Sequence, residues 1–373
     1  MDELPLAALR QRRSIKWQLY PPDVLPLWVA ELDVPLAPCI TEALTDAVGR
    51  GDTGYAAPFR LGRAFAGFAH RHWDWTVDPA RCLPVGDVMA GVVEALKVLT
   101  DPGDRVVICP PVYHPFFDVP PSIGRPVQPV PLVDGALDLP GIDVALGSGA
   151  RAVLLSSPHN PTGRVWSADE LDQLDRVVRR HDAVVLADEV HAPLTLPGAE
   201  FTPYTRSPRR AVVLTSASKA FNLAGLKCAW LVAGDDVVWQ AMQRIPVEVS
   251  YKVGHFGALA NEVALTDGDA WLRDLVAHLD RNRSMVVEAL GEQLTVPQAS
   301  YLAWLSFPDE RPAERLLREQ RIALSEGADF GVTHHARLNF GTTTEVLTEA
   351  LRRLSPPPRG GGLGGDGQSS QGP

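Results

Sequence analysis

Five short apolar runs, separated by polar and helical stretches, constrain the fold of this chain more than any other feature. They are Arg105–Cys109, Ala152–Ser156, Ala183–Ala187, Ala211–Thr215 and Ala229–Ala233. The runs are rich in Val, Ile and Leu, as is typical of strands buried on both faces of a mostly parallel sheet. Between two runs, residues 167–180 predict a helix, because Ser167 can cap it and Glu170 completes a capping box. This order of strand, loop, helix and strand predicts an α/β fold.

The remainder of the chain predicts a second, smaller α+β unit. Residues 270–290 have the apolar spacing of a long amphipathic helix, and residues 301–307 and 336–340 are strand-like. We expect an N-terminal segment (1–40) that packs with the small domain, a large domain (41–268) and the small domain itself (269–354). The Gly-, Pro- and Ser-rich tail, residues 355–373, is predicted to be disordered.

Composition excludes several functional classes. The net charge of −10 argues against binding to nucleic acid or to anionic membranes. No apolar run reaches the roughly 18 residues that a membrane span needs. The N-terminal residues lack the pattern of a secretory signal, so a cytoplasmic location is expected. The 4 cysteines form no CxxC pair, and no metal site is predicted.

Polar residues follow three of the apolar runs at the point where each predicted strand ends. In chain order they are Asn160, Asp188, His191, Ser216, Ser218 and Lys219. Ligands of parallel α/β sheets bind at the carboxyl ends of the strands. We therefore expect these side chains to meet at one edge of the sheet.

One ligand suits this set of residues. A lysine amine forms a Schiff base with an aldehyde, and a buried carboxylate can hold a protonated pyridine nitrogen. Serine hydroxyls and a nearby cation suit a phosphate. An aldehyde, a pyridinium and a phosphate together describe pyridoxal 5'-phosphate. Lys219, one of only five lysines, is the predicted attachment point.

Several motifs resemble a known family. SPHNPTGRVW, ADEVH and TSASKAFNLAGLK resemble the fold-type I, class I/II aminotransferase superfamily. Within it, LPLWVAELDVP (25–35), GDTGYAAP (51–58), PPVYHPFF (110–117), YLAW (301–304) and RLNFG (337–341) resemble the MalY/PatB-type cystathionine β-lyases. The likeness covers about residues 10 to 354. It implies the fold type I architecture, with a mostly parallel seven-stranded sheet flanked by helices and a smaller α+β domain.

The resemblance also implies roles around the cofactor ring. Lys219 matches the Schiff-base lysine, and Asp188 matches the partner of the pyridine nitrogen. Asn160 matches the residue at the phenolic oxygen, with His191 beside it. Tyr113 matches the aromatic side chain that stacks on the ring.

Further matches concern the phosphate and the substrate. Val88 and Met89 match backbone donors to the phosphate, together with Ser216, Ser218 and Lys227. Asp87 begins the same helix, and an acid there is unfavourable unless it points away. Tyr55 matches a tyrosine given across a dimer interface, which implies a homodimer with shared active sites. Arg337 matches the arginine that binds the substrate carboxylate, and Ala30 and Glu31 lie in a segment expected to line the substrate.

The sequence leaves the reaction open. The first hypothesis is a carbon–sulfur β-lyase acting on cystathionine or another cysteine S-conjugate, with a decarboxylating or deaminating variant in secondary metabolism as a specialised form. The second is an aminotransferase acting on a small-molecule amino acid, such as an aromatic amino acid or histidinol phosphate. The third is a non-catalytic binding or regulatory protein on the same fold, against which the intact Lys219 argues.

Overall fold

Strands and helices alternate through most of the chain. The structure, a computed structural model, describes residues 2–354, so the predicted disordered tail lies outside the described residues. The strands are β1 Leu25–Pro26, β2 Cys82–Val85, β3 Arg105–Ile108, β4 Val127–Pro129, β5 Ala150–Ser156, β6 Val184–Asp188, β7 Ala211–Thr215, β8 Ala229–Ala233, β9 Leu294–Thr295, β10 Leu302–Ser306, β11 Ile322–Ala323, β12 Ser325–Glu326 and β13 His335–Asn339.

The helices differ widely in length. They are α1 Leu6–Leu9, α2 Ile15–Gln18, α3 Pro38–Gly49, α4 Leu61–Trp73, α5 Val88–Leu99, α6 Pro115–Ser122, α7 Leu139–Gly147, α8 Ala168–Arg180, α9 Asp236–Met242, α10 His255–Asp267, α11 Asp269–Leu290, α12 Pro312–Gln320 and α13 Thr344–Leu354. Short 3-10 helices cover Pro58–Arg60, Pro79–Arg81, Ala192–Leu194, Ala224–Leu226, Val247–Lys252, Gly291–Gln293 and Gly327–Phe330.

The large sheet has seven strands in the order β2-β8-β7-β6-β5-β3-β4. All five apolar runs form strands in it, so the predicted α/β class and the mostly parallel seven-stranded sheet are confirmed. Strands β7, β6, β5, β3 and β4 are parallel to one another. Strand β8 runs antiparallel to both β7 and β2.

Alternate residues of the central strands enter two separate cores, one on each face of the sheet. In β6, Val185 and Ala187 pack into one core, whereas Val184 and Leu186 pack into the other. Helices α4, α7, α8 and α10 cover the first face, and α5, α6 and α9 cover the second. This two-sided burial explains why the strands read as continuous apolar runs rather than as alternating patterns.

Helix α8 connects two parallel strands and begins at the predicted cap. The Ser167 hydroxyl accepts from the Glu170 amide at 3.2 Å, and the Glu170 carboxylate accepts from the Ser167 amide at 2.9 Å. The predicted capping box is therefore confirmed. It satisfies two of the backbone donors that a helix start leaves unpaired.

A second, antiparallel sheet follows, with the strand order β12-β13-β10-β9. Strands β10 and β13 correspond to the two strand-like stretches in the sequence, and α11 corresponds to the long amphipathic helix. The N-terminal residues lie against this part of the chain, because Leu25 pairs with Ile322 and the Asn339 amide donates to the Leu27 carbonyl at 2.9 Å. The division into domains at residues 40 and 268 stays a prediction.

Candidate active site

A cavity of about 670 Å³ lies where the carboxyl ends of the large sheet face the small sheet. Most of the predicted site residues line it: Ala30, Val88, Met89, Tyr113, Asn160, Asp188, His191, Ser216, Ser218, Lys219, Lys227 and Arg337. Glu31 and Tyr55 are not among its lining residues. The sheet edge thus gathers side chains from positions far apart in the sequence, as expected for an α/β fold.

Asp188 is the last residue of β6, between Ser156 of β5 and Leu214 of β7. Its Oδ1 accepts from the Val190 amide at 3.1 Å. Burial raises the pKa of this carboxyl to about 6, against the hydrogen bond and the positive charge of Lys219. A buried carboxylate in this position can hold a protonated ring nitrogen.

Lys219 follows β7 in a tight turn that serine hydroxyls stabilise. The Ser216 hydroxyl donates to the Cys228 carbonyl at 2.7 Å and accepts from the Ser218 amide at 3.0 Å, so its proton is already used within the protein. The Lys219 ammonium donates to the Ala30 carbonyl at 3.1 Å. Burial lowers the pKa of Lys219 to about 8, with Arg337 acting in the same direction. A lysine with this pKa is partly neutral near physiological pH, as a nucleophile or base must be.

Arg337 extends from β13 into the cavity and is only 5% exposed. Its guanidinium donates to Asn160 Oδ1 at 2.9 Å and to the Trp28 carbonyl at 3.0 Å, and it lies 4.8 Å from the centre of the Phe330 ring. Its Nε has no hydrogen-bond partner in the described part of the chain. Burial lowers the pKa of Arg337 to about 10. Among residues 2–354 no carboxylate forms an ion pair with it, so the cavity holds a buried cation suited to an incoming anion.

His191 and Tyr113 line the cavity near the sheet edge. His191 Nδ1 lies 2.9 Å from the Ser300 hydroxyl, and burial lowers the pKa of the imidazole well below its usual value. The ring is therefore neutral at physiological pH. Burial also raises the pKa of Tyr113, which keeps its hydroxyl protonated.

The start of α5 forms one end of the cavity. Val88 and Met89 are its first residues, and the backbone amides at a helix start have no acceptor within the helix. Asp87 caps the helix, because its Oδ1 accepts from the Ala90 amide at 2.8 Å. Its Oδ2 accepts from the Lys227 ammonium at 3.1 Å. Two amides and a lysine thus meet here, as a phosphate requires, although the lysine is already paired with Asp87.

Two predicted residues lie away from the cavity wall. Tyr55 is 88% exposed, and its ring meets the Tyr251 ring edge-on at 6.4 Å. Glu31 contributes its backbone carbonyl, which accepts from the Lys16 ammonium at 3.0 Å and from Asn339 Nδ2 at 2.7 Å. Their roles at the dimer interface and in substrate binding stay predictions.

Sequence reasoning missed the residues that hold the segment from Trp28 to Val34, which we call the 28–34 segment. They are Arg12, Lys16, Asn222, Tyr301 and Asn339, and each donates a side-chain hydrogen bond to a carbonyl of this segment. The scarcity of lysine could have pointed to Lys16. The others carry no local signal, because their partners are distant in the sequence.

No helix within residues 2–354 is long and apolar enough to cross a membrane. The same part of the chain contains no group of three or more His, Cys, Asp or Glu side chains placed to hold a metal ion.

Comparisons with known proteins agree on one family. Residues 22–354 match the family "Aminotransferase class I and II". A Mycobacterium leprae protein named "Putative cystathionine beta-lyase" is 40% identical over 95% of this chain and 97% of its own length. The cystathionine beta-lyase of Corynebacterium glutamicum is 34% identical over 94% of this chain and 98% of its own. A Corynebacterium diphtheriae crystal structure, described as a "putative PLP-dependent beta-cystathionase", is 32% identical, covers 95% and 98% of the two chains and has a TM-score of 0.90. The chain belongs to the class I and II aminotransferase family.

Proposed function

We propose that this protein is a pyridoxal 5'-phosphate-dependent carbon–sulfur β-lyase that cleaves cystathionine or another L-cysteine S-conjugate. The products are a thiol, a keto acid and ammonia. One observation carries the proposal: Lys219, with a lowered pKa, shares a cavity with the buried Asp188 and with an Arg337 that has no carboxylate partner within residues 2–354. The named activities of relatives 34% to 40% identical over nearly the whole chain support the lyase reaction.

The residues present fit the cofactor. Asp188 is buried and has one oxygen bonded to the Val190 amide, so its other oxygen can accept from a protonated pyridine nitrogen. The Val88 and Met89 amides, with Lys227, suit the phosphate. Tyr113 lies on the cavity wall, where it can stack on the ring. When bound, pyridoxal 5'-phosphate supplies an aldehyde that reacts with amines and a ring that accepts electrons.

Each protein group then has a defined task. The guanidinium of Arg337 binds the substrate carboxylate and fixes the orientation of the α-carbon. The neutral amine of Lys219 accepts the α-proton. The carboxylate of Asp188 keeps the proton on the ring nitrogen, which stabilises negative charge in the ring. In the elimination, the Cβ–S bond breaks and the thiolate leaves with the bonding pair. Addition of one water to the remaining three-carbon fragment gives pyruvate and ammonia.

The charged lining of the cavity supports a substrate with charged groups beyond the sulfur. Arg311 and Glu314 both line the cavity and form an ion pair of 2.9 Å. Glu326 and Asp329 line it as well. Cystathionine carries both an amino group and a carboxylate on its distal side, so this mixed set of charges offers a partner to each. A purely alkyl S-conjugate would make no use of these charges.

The family match favours one alternative, an aminotransferase. Lys219, Asp188 and Arg337 would perform the same early steps in that reaction. The two reactions differ in whether a leaving group departs from Cβ or a proton returns to the cofactor. A decarboxylating or deaminating lyase acting on a specialised S-conjugate uses the same residues.

We further propose that the enzyme is a cytoplasmic homodimer in which Tyr55 contributes to the active site of the partner subunit. The exposure of Tyr55 in the single chain, together with the neighbouring Phe59 and Tyr251, supports a contact surface there.

The test is an assay of the holoenzyme with cystathionine and with S-ethyl-L-cysteine, scoring thiol and pyruvate without an added keto-acid acceptor. We expect both products in equal amounts, faster release from cystathionine, and loss of activity in Lys219→Ala. The matched control is Lys97→Ala, which changes a lysine on the surface of α5. Turnover that requires a keto-acid acceptor would replace the lyase by the aminotransferase. Full activity of Lys219→Ala would refute both.

A further inference from the structure

The 28–34 segment has no regular secondary structure. Most of its backbone carbonyls nevertheless accept hydrogen bonds from side chains. On the cavity side, the Trp28 carbonyl accepts from Arg337 at 3.0 Å, and the Ala30 carbonyl accepts from Lys219 at 3.1 Å. These two carbonyls orient the two cations on which the proposed reaction depends. The position of the segment therefore sets where both cations point.

A buried ion pair holds the segment from its other side. Lys16 on α2 and Asp33 have fully buried side chains, and Lys16 Nζ lies 2.6 Å from Asp33 Oδ2. The same ammonium donates to the Glu31 carbonyl at 3.0 Å, one residue beyond Ala30. Trp17 Nε1 donates to Asp33 Oδ1 at 2.9 Å.

Arg12 adds a second anchor from the same N-terminal residues. Its guanidinium donates to the Leu32 carbonyl at 2.8 Å and to the Val34 carbonyl at 2.7 Å. Side chains of the N-terminal residues thus bind the segment at Glu31, Leu32, Asp33 and Val34. The catalytic cations contact it at Trp28 and Ala30, only a few residues away.

A gain in the free energy of unfolding does not by itself explain why Lys16 and Asp33 form an ion pair here. Removing two charges from water is costly, and apolar residues of similar volume are often equally stabilising. What an apolar pair cannot provide is the second donor to the Glu31 carbonyl, which also accepts from Asn339 Nδ2 at 2.7 Å. The directed hydrogen bond, rather than the burial, is therefore the distinctive contribution of Lys16.

We propose that Lys16 is a positioning residue for Lys219 and Arg337, acting through Asp33 and the Glu31 carbonyl on the 28–34 segment. This inference rests on the proposed roles of Lys219 and Arg337. Lys16 contacts neither the cavity nor the substrate. Removing the Lys16 side chain shifts the two carbonyls that accept hydrogen bonds from Lys219 and Arg337.

Two variants separate positioning from stability. Lys16→Met takes from the buried Asp33 its nearest cation, leaving it Trp17 Nε1 and, at 3.8 Å, Arg12, and should lower the melting temperature by about 5–10 °C. The double variant Lys16→Met/Asp33→Leu removes both charges but also the acceptor of Trp17 Nε1, so it should melt above Lys16→Met and within about 5 °C of the wild type. If Lys16 positions the segment, kcat/KM of the double variant stays about 10-fold or more below the wild type despite its restored stability. The control Lys97→Met changes neither quantity.

A second measurement needs no turnover. In the apoprotein, the pH dependence of trinitrobenzenesulfonate labelling can be followed for each of the five lysines by peptide mass mapping. The midpoint for Lys219 should lie near pH 8 in the wild type. In the double variant it should move upward, because a loosened segment admits water and burial is the main cause of the lowered pKa.

The outcomes are distinct. A double variant that regains both wild-type stability and wild-type kcat/KM, with an unchanged Lys219 midpoint, would overturn the positioning role and leave Lys16 a structural residue. If the wild type cleaves no S-conjugate, the proposed function fails. The labelling midpoint then still decides whether Lys16 controls the environment of Lys219.

Discussion

At the scale of single residues, the site is defined by the buried cation Arg337, for which residues 2–354 supply no carboxylate partner. Its guanidinium lies over the Phe330 ring and donates to three neutral oxygens, those of Asn160, Trp28 and Ser325. A buried guanidinium without a carboxylate is unfavourable unless a ligand supplies the anion. In the proposed reaction the amino-acid substrate supplies that anion, which would couple binding and orientation in one contact.

Arg337→Lys tests this coupling. Lysine keeps the charge but loses the planar fork that matches a carboxylate. We expect KM for cystathionine to rise about 10- to 100-fold, which corresponds to the loss of one charge-assisted hydrogen bond. The Kd of the apoprotein for pyridoxal 5'-phosphate should change little. Arg315→Lys, which alters an ion pair between Arg315 on α12 and Asp309 in the bend before that helix, is the control. An unchanged KM would remove Arg337 from carboxylate binding.

At the scale of secondary-structure elements, the buried parallel strands were predictable and the edges of the sheet were not. Strands β5, β6 and β7 are apolar on both faces, and the sequence shows them directly. Strand β2 contains Pro84 and β4 has only three residues, so neither forms a recognisable run. The direction of β8 depends on its neighbours, because it is as apolar as a parallel strand yet pairs antiparallel with β7.

The side chains that donate hydrogen bonds to the 28–34 segment could not be predicted, for a different reason. Asn339 reaches the Glu31 carbonyl across 308 residues of sequence, and Asn222 reaches Leu32 across 190. Neither residue belongs to a local motif that signals its partner. Lys219, Asp188 and Asn160, in contrast, follow apolar runs, and the rule that ligands bind at strand ends is local.

The start of α5 gives a prediction at this scale. Asp87→Asn keeps a good helix cap but removes the negative charge beside the proposed phosphate site, and it releases Lys227. We expect the Kd of the apoprotein for pyridoxal 5'-phosphate to fall about 2- to 5-fold at low salt. The effect should shrink as salt is added.

The matched control is Asp235→Asn, because Asp235 caps α9 in the same manner, accepting from the Val238 amide at 2.8 Å. This variant should leave the Kd for pyridoxal 5'-phosphate unchanged. Pyridoxal without its phosphate should bind equally well to the wild type and to Asp87→Asn. Weaker cofactor binding by Asp87→Asn would mean that the Asp87–Lys227 pair organises the phosphate site instead of opposing it.

At the scale of the whole molecule, several large aromatic side chains of the single chain face outward. Tyr55 and Phe59 are each 88% exposed, and Tyr251 is 60% exposed. Large aromatic side chains grouped on a surface are typical of protein contacts. The proposed two-fold dimer through this surface would let each subunit offer its Tyr55 to the other, because an isologous interface makes each contact twice.

Complementation between two defective subunits tests this arrangement. Lys219→Ala and Tyr55→Ala chains are co-expressed with different tags, and the mixed dimer is purified through both. If Tyr55 acts across the interface, one of its two sites has both wild-type residues and the other has neither. The mixed dimer should then show about half of the wild-type activity, well above either mutant homodimer.

If Tyr55 acts within its own chain, neither site is complete and activity stays at half that of the Tyr55→Ala homodimer or below. Failure of the two tags to co-purify would refute the dimer itself. Because Tyr55 is exposed in the single chain, its loss should not unfold the subunit, and the melting temperature of Tyr55→Ala verifies this.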